Sequence, residues 1–260
     1  MSELIVRREG AVGWILFSNP AKFNAMNYDM WRALPEQFFA LENDEAVRVI
    51  VLAGEGEKAF VSGADISQFE QNRATADAQA IYNRAVEEAY FAPMRCTKPV
   101  IAAIRGICMG GGLGLASSCD VRIAADDAAF RMPAARMGLG YGFAGLKRFV
   151  SQIGPENTSD IFFSARKFGA AEALRMGFVS HVVPAAELHR QAQDYAGLVA
   201  ENAPLTIAAA KRAIIEALKD PSDRDLDRVS DAIDACFASG DFKEGRTAFM
   251  EKRKPEFKGR

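Results

Sequence analysis

The chain has 260 residues, 49% hydrophobic and 25% charged, enough for a full core in one large domain or in a domain with an appendage. A net charge of −2 gives no electrostatic case for nucleic-acid binding, and no apolar run approaches membrane-spanning length. Four cysteines without a C-x-x-C pair suggest reduced thiols in a cytoplasmic protein, and two histidines offer little to a metal site or a histidine triad.

In chain order, the opening MSELIVRREGAVGW lacks the apolar core of a signal peptide. Leu4–Arg8 and Val12–Phe17 read as a hairpin around Gly10. The polar loop Asn19–Asn27 carries Lys22, and Asn27 is placed to cap a helix running to about Glu42. Val47–Ala53 reads as a buried strand and Phe60–Ser62 as a shorter one. Ser62 to Ile66 then turns into a short helical segment. A long helix is expected from Arg73 to Phe91, stopping before Pro93.

The stretch Lys98–Asp120 is the most informative. Val100–Ile104 is β-branched and apolar, and Gly110, Gly111 and Gly112 lead into small residues through Ser118. A strand running through glycines into a helix leaves backbone N–H groups free and lets a ligand approach closely. Neither a P-loop nor a G-x-G-x-x-G fingerprint fits, because Leu113 and Leu115 stand where those motifs need other residues.

Strands follow at Val121–Ala125 and Phe130–Met132, then a Gly-rich loop over Met137–Gly142. Helices are read around Ala144–Ile153 and Glu156–Phe163, then Arg166–Phe168 and a strand over Val179–Val183. This alternation predicts an α/β architecture with parallel strands. From Pro184 onward the pattern is helical only: Ala185–Glu201, Leu205–Lys219, Asp223–Ser239 and Asp241–Lys252. We divide the chain into a core over 1–195 and a helical region over 196–260.

Asn24–Met26, Ala59–Ile66, Lys98–Asp120, Phe130–Gly145 and Phe249–Phe257 together resemble the enoyl-CoA hydratase/isomerase (crotonase) family, in order and spacing over nearly the whole chain. The resemblance implies a spiral of ββα turns, a C-terminal helical region that builds a homotrimer or hexamer, and an acyl-coenzyme A thioester as substrate. It implies no separate cofactor, coenzyme A entering with the substrate, and no membrane partner. By the same resemblance the N–H groups of Ala64 and Gly111 form an oxyanion hole. Lys22, Ala25, Asp65 and Ile66 would contact coenzyme A, with Phe249 and Lys252 reaching it from a neighbouring subunit. For each lysine a solvated surface charge is an equal reading.

One departure bears on the reaction. Hydratases of the family carry a glutamate just after the glycines and another twenty residues on; here those positions are Gly114 and Ala134. Neither side chain can move a proton. Tyr141, in GLGYG, resembles a tyrosine of methylmalonyl-CoA decarboxylases, and a neutral phenol could hold a substrate carboxylate as CO₂ leaves. Arg136 is a candidate carboxylate clamp or a solvated arginine, Cys108 an acyl-pocket residue or an inert buried thiol, and Asp120 a structural group. The expected activity is a lyase stabilising a thioester enolate, decarboxylation being one form. The alternatives are a hydratase or isomerase with an atypical acid/base, and a non-catalytic acyl-CoA-binding protein.

Overall fold

The computed structural model describes residues 2–65, 67 and 75–260. β1 (Glu3–Glu9) and β2 (Val12–Ser18) form the hairpin at Gly10, antiparallel from Glu3 opposite Ser18 to Glu9 opposite Val12. α1 (Tyr28–Asn43) starts at the expected cap, where the Asn27 side chain accepts the Met30 N–H at 2.8 Å. Met30, Leu34, Phe38 and Leu41 face the core at helical spacing.

From here each turn of chain gives one strand to each of two sheets. β3 (Val49–Gly54), β5 (Val100–Ile104) and β7 (Val121–Ala125) enter a six-stranded sheet of order β1-β2-β3-β5-β7-β10, with β10 at His181–Val183. β4 (Ala59–Val61), β6 (Ile107–Met109) and β8 (Ala129–Arg131) enter a four-stranded sheet, β4-β6-β8-β9, with β9 at Lys167–Gly169. All pairings are parallel except β1 with β2 and β8 with β9. This is the ββα spiral expected of the crotonase fold. β6 is absent from the sequence reading; three residues give no periodicity to detect.

Two of the helices fix the site. α2 (Ala76–Arg95) begins after its Thr75 cap and runs through Pro93. The expected stop before Pro93 is therefore corrected, and the expected start at Arg73 lies outside the described residues. A proline forfeits one helical hydrogen bond, and here its carbonyl, near the helix end, accepts the Lys211 ammonium at 2.7 Å. α3 (Gly111–Ala116) is the helix of the glycine stretch. A Cβ at Gly112 would stand 2.1 Å from the Val61 carbonyl oxygen, so only glycine lets α3 seat against β4.

α4 (Phe143–Ser164) contains the expected break at Gly154, which has φ +76°. α5 (Ala170–Met176), not anticipated from the sequence, packs near β9 and β10. The all-helical C-terminal region is as expected: α6 (Leu188–Ala200), α7 (Pro204–Ala217), α8 (Leu226–Ala238) and α9 (Gly240–Glu251). The main core lies between the sheets, while α6 covers the outer face of the larger sheet with Leu188, Ala192, Ala196 and Ala200. The 195/196 boundary falls inside α6. No helix of the described residues is long and apolar enough to cross a membrane.

Candidate active site

Two strand-to-helix junctions meet beside the glycines. At the first, the Met26 N–H donates to the Gly63 carbonyl and the Asp65 N–H to the Met26 carbonyl, both at 2.8 Å. In this parallel bridge Met26 uses the residues on either side of Ala64, so the Ala64 N–H points the other way. The Asn24 amide ties the loop down, donating to the Ala59 carbonyl at 2.7 Å and the Glu55 carbonyl at 3.0 Å.

At the second junction the Gly110 N–H donates to the Arg131 carbonyl, and Gly111 begins α3 with no intrahelical acceptor for its own N–H. A Cβ on Gly63 would stand 3.8 Å from the Gly111 nitrogen. The structure thus brings Ala64 and Gly111 side by side. Ala134 is buried at the start of a 3-10 turn, and the preceding Pro133 ring lies 3.6 Å from a Cβ position on Gly110. Gly114 and Ala134, the two positions where hydratases of the family carry a glutamate, both lie near this junction.

What occupies the space at Gly114 is two phenols. A Cβ there would meet the Tyr141 and Tyr90 hydroxyl oxygens, each at 2.8 Å. Tyr141 precedes α4 and packs edge-on to Phe162, with ring centroids 5.0 Å apart. Tyr90 comes from α2, stands edge-on to Trp31 and donates to the Gly111 carbonyl at 3.3 Å. Burial pushes the Tyr141 phenol up to about 12 despite the partly offsetting Arg148 charge and a hydrogen bond with Tyr90. Burial also drives Tyr90 well above its usual range. Both phenols are therefore neutral hydrogen-bond donors near neutral pH.

Tyr90 and Arg148 escape the sequence reading. Arg148 lies on α4 and Tyr141 in the loop before it, and the value of both depends on Gly114, which no local pattern links to them. Arg136, by contrast, is exposed, away from any clamp role. Cys108 is fully buried and its thiol is pushed up by burial, an inert core group. Asp120 accepts from the Val100 N–H and the Lys211 ammonium, each at 2.7 Å, so it is structural.

On the loop side, the Lys22 ammonium binds Asp65 Oδ2 and Ser67 Oγ, both at 2.7 Å. Burial alone would raise the Asp65 carboxyl, but hydrogen bonds from Lys22 and Ser67 outweigh it and hold the carboxyl below its usual range. Ala25 is buried, its carbonyl accepting the Asn19 amide at 2.9 Å. Ile66 lies outside the described residues. Phe249 stands exposed on α9, and Lys252 is exposed at that helix's end. Among the described residues no cluster of three His, Cys, Asp or Glu could hold a metal.

The family model for enoyl-CoA hydratase/isomerase matches residues 7–260. A short-chain-enoyl-CoA hydratase of Clostridium acetobutylicum is 36% identical over 263 residues, covering 100% of this chain and 99% of that protein. A crotonyl-CoA hydratase of Syntrophomonas wolfei is 35% identical, covering 98% of this chain and 97% of that one. A solved enoyl-CoA hydratase/carnithine racemase from Magnetospirillum magneticum superposes with a TM-score of 0.91 at 33% identity, over 99% of this chain and 96% of that one. An enoyl-CoA hydratase/isomerase family protein from Hyphomonas neptunium gives 0.94 at 33% identity, over 99% and 98%. Junction, fold and relatives agree, and the chain belongs to the enoyl-CoA hydratase/isomerase family.

Proposed function

We propose that the protein is a lyase acting on an acyl-CoA thioester, with the N–H groups of Ala64 and Gly111 holding the thioester oxygen as it becomes an enolate. The observation that carries this reading is the meeting of two junctions whose N–H groups serve no other backbone partner among the described residues. Fixed donors aimed at developing charge are typically worth about 3–4 kcal/mol each. Lys22 and Asp65, with Ala25 and Ile66, lie on the loop side where coenzyme A would lie. Phe249 and Lys252 would contact it from a neighbouring copy in a trimer or hexamer. The exposed Phe237, Phe249 and Met250 on α8 and α9 support that assembly.

The names of the relatives favour hydration of a short-chain enoyl-CoA. In that reaction water adds at the β-carbon, the double-bond electrons move onto the thioester oxygen, and the α-carbon takes a proton. Tyr141, with Tyr90 behind it, is the acid that stands where a glutamate would. Neither phenol is a base at neutral pH, so water must attack unassisted. A missing acid–base group typically costs about 10²–10⁴-fold in rate.

A second reading, decarboxylation of a malonyl-type thioester, is favoured by this donor-only surrounding. There the carbon–carbon bond to the carboxylate breaks, its electron pair enters the enolate, CO₂ leaves, and Tyr141 delivers the proton to the α-carbon. No base is needed. The purified protein is to be incubated with crotonyl-CoA, a 3-enoyl-CoA and methylmalonyl-CoA, each thioester being followed. Turnover of any of them supports the lyase or isomerase chemistry and assigns the reaction. Tight binding with no turnover overturns the enzyme reading in favour of an acyl-CoA-binding protein.

A further inference from the structure

Two side chains of α4 grip the far end of the glycine helix. Arg148 donates through Nη1 to Ser118 Oγ at 2.6 Å, and Gln152, one turn on, donates through Nε2 to the Ser117 carbonyl at 2.7 Å. Residues at this spacing share one helix face, so α4 holds two consecutive residues at the end of α3 together. Both serine hydroxyls in turn donate to the Gly114 carbonyl, Ser117 at 2.6 Å and Ser118 at 3.1 Å.

The grip connects the two halves of the site. On the α3 side, the Gly114 N–H donates to the Gly110 carbonyl at 3.0 Å, and that same peptide carries the Gly111 N–H. On the α4 side, the Tyr141 ring lies against the first turn of the helix, where a Cβ on Gly145 would stand 2.4 Å from the ring's Cε1. The ring also packs edge-on to Phe149, the neighbour of Arg148, with centroids 6.4 Å apart. Tyr141 therefore moves with α4 and the Gly111 N–H with α3. How α4 seats on α3 sets the distance between them.

Stability alone is poorly served by this pair of side chains. Arg148 Nε and Gln152 Oε1 are both buried with no partner among the described residues. The groups facing the guanidinium are the Tyr141 and Tyr90 phenols and the Cys119 thiol, with no described carboxylate among them. The Lys211 ammonium, by contrast, makes three hydrogen bonds, one of them to Asp120. Unpaired buried polar groups are costly, and a fold keeps them mainly where a site needs them.

We propose that Arg148, helped by Gln152, is a positioning residue that seats α4 on α3 and so holds the Tyr141 hydroxyl at a fixed distance from the Gly111 N–H. This rests on the lyase reading above, with Tyr141 as the proton donor, but not on which bond breaks. In both reactions the enolate oxygen sits on the Gly111 N–H while its α-carbon takes a proton. A donor misplaced by about 1 Å can lose about 10²-fold in rate while ligand binding survives.

The test is steady-state kinetics of the whole chain with whichever of crotonyl-CoA, a 3-enoyl-CoA and methylmalonyl-CoA the wild type turns over. Arg148→Met keeps the apolar stem and breaks no ion pair among the described residues, so the melting temperature should change little. Its kcat should fall about 10- to 100-fold with KM held within about 3-fold. Arg148→Lys, which can still donate to Ser118, should recover part of the loss. In the Tyr141→Phe background Arg148→Met should cost less than about 2-fold, because the group it positions is gone. A folded Arg148→Met protein with wild-type kcat overturns the proposal, and so does an undiminished loss in the Tyr141→Phe background. Either result leaves the lyase reading intact, whereas a wild type that turns over none of the thioesters overturns both. If Arg148→Met does not fold, Ser118→Ala removes the acceptor of the same hydrogen bond and is judged by the same pattern.

Discussion

The Tyr141 hydroxyl lies 2.8 Å from the point where a side chain on Gly114 would begin, and the Tyr90 hydroxyl lies equally close from α2. Glycine at 114 and the tyrosine pair are therefore one arrangement. A carboxylate cannot be restored at 114 without moving both rings. Gly114→Ala should destabilise the fold by about 1–3 kcal/mol, the usual cost of overpacking. In the Tyr90→Phe/Tyr141→Phe background the penalty should shrink, because two of the blocking atoms are gone. Denaturant melts of the four proteins measure that coupling; simple additivity would count against the contact. Gly114→Glu alone should lower stability and not raise crotonyl-CoA hydration.

The same burial predicts an unusual alkaline titration. Burial pushes Tyr141 up to about 12 and drives Tyr90 well above the ordinary phenol value near 10. A phenol whose folded value is raised contributes stability that is complete below its unfolded value and is lost as pH rises through the folded one. Stability should thus fall steadily above about pH 10. Two of the five tyrosines should ionise late, or only on unfolding, when tyrosinate absorbance is followed. The Tyr90→Phe/Tyr141→Phe protein should lose that late phase.

How much of this was legible in the sequence follows from how local each signal is. The Asn27 cap, the strand Val100–Ile104, the break at Gly154 and the glycines of α3 are written in adjacent residues, and each lies where its pattern puts it. α2 runs past Pro93, and near the helix end the Lys211 ammonium of α7 donates to the Pro93 carbonyl, a partner no window around Pro93 contains. Tyr90 and Arg148 come from helices on either side of α3 in sequence. Their meaning lies in converging on a glycine, which leaves no mark on either helix.

Lys211 also joins the C-terminal helices to the core. Its side chain is 7% exposed and its ammonium binds Asp120 at 2.7 Å, while burial pushes the Asp120 carboxyl up despite that charge. Lys211→Met takes the cation from an Asp120 carboxylate whose side chain is 30% exposed and should cost about 1.5–3 kcal/mol, the range of a hydrogen bond to a charged group. Lys211→Met with Asp120→Asn should recover part of the loss, since no unpaired charge remains. Thermal melts at neutral pH test both. Equal losses in the single and double variants would contradict the pairing.

Lys22 is about half exposed and already bound to Asp65, so its pairing adds little to stability. A role at the ligand should appear in kinetics instead. Lys22→Ala is expected to raise KM about 3- to 10-fold with kcat nearly unchanged, the pattern of uniform binding lost. The effect should fade at high salt, as exposed charge contacts do. A fall in kcat at constant KM would move Lys22 from ligand binding to the chemistry.

The proposed oxyanion hole can be tested only through the backbone. The bridge between Met26 and its partners uses the Gly63 carbonyl and the Asp65 N–H, leaving the Ala64 N–H outside it. Ala64→Pro removes that one donor and no hydrogen bond of the bridge. For whichever thioester the enzyme turns over, kcat should fall about 10²–10³-fold, the loss typical of one such donor. KM should change little, because the donor acts on charge that develops after binding. Circular dichroism and melting confirm that the variant is folded. A folded Ala64→Pro protein with wild-type kcat would remove Ala64 from the chemistry, and with it the pairing of the two junctions as an enolate site.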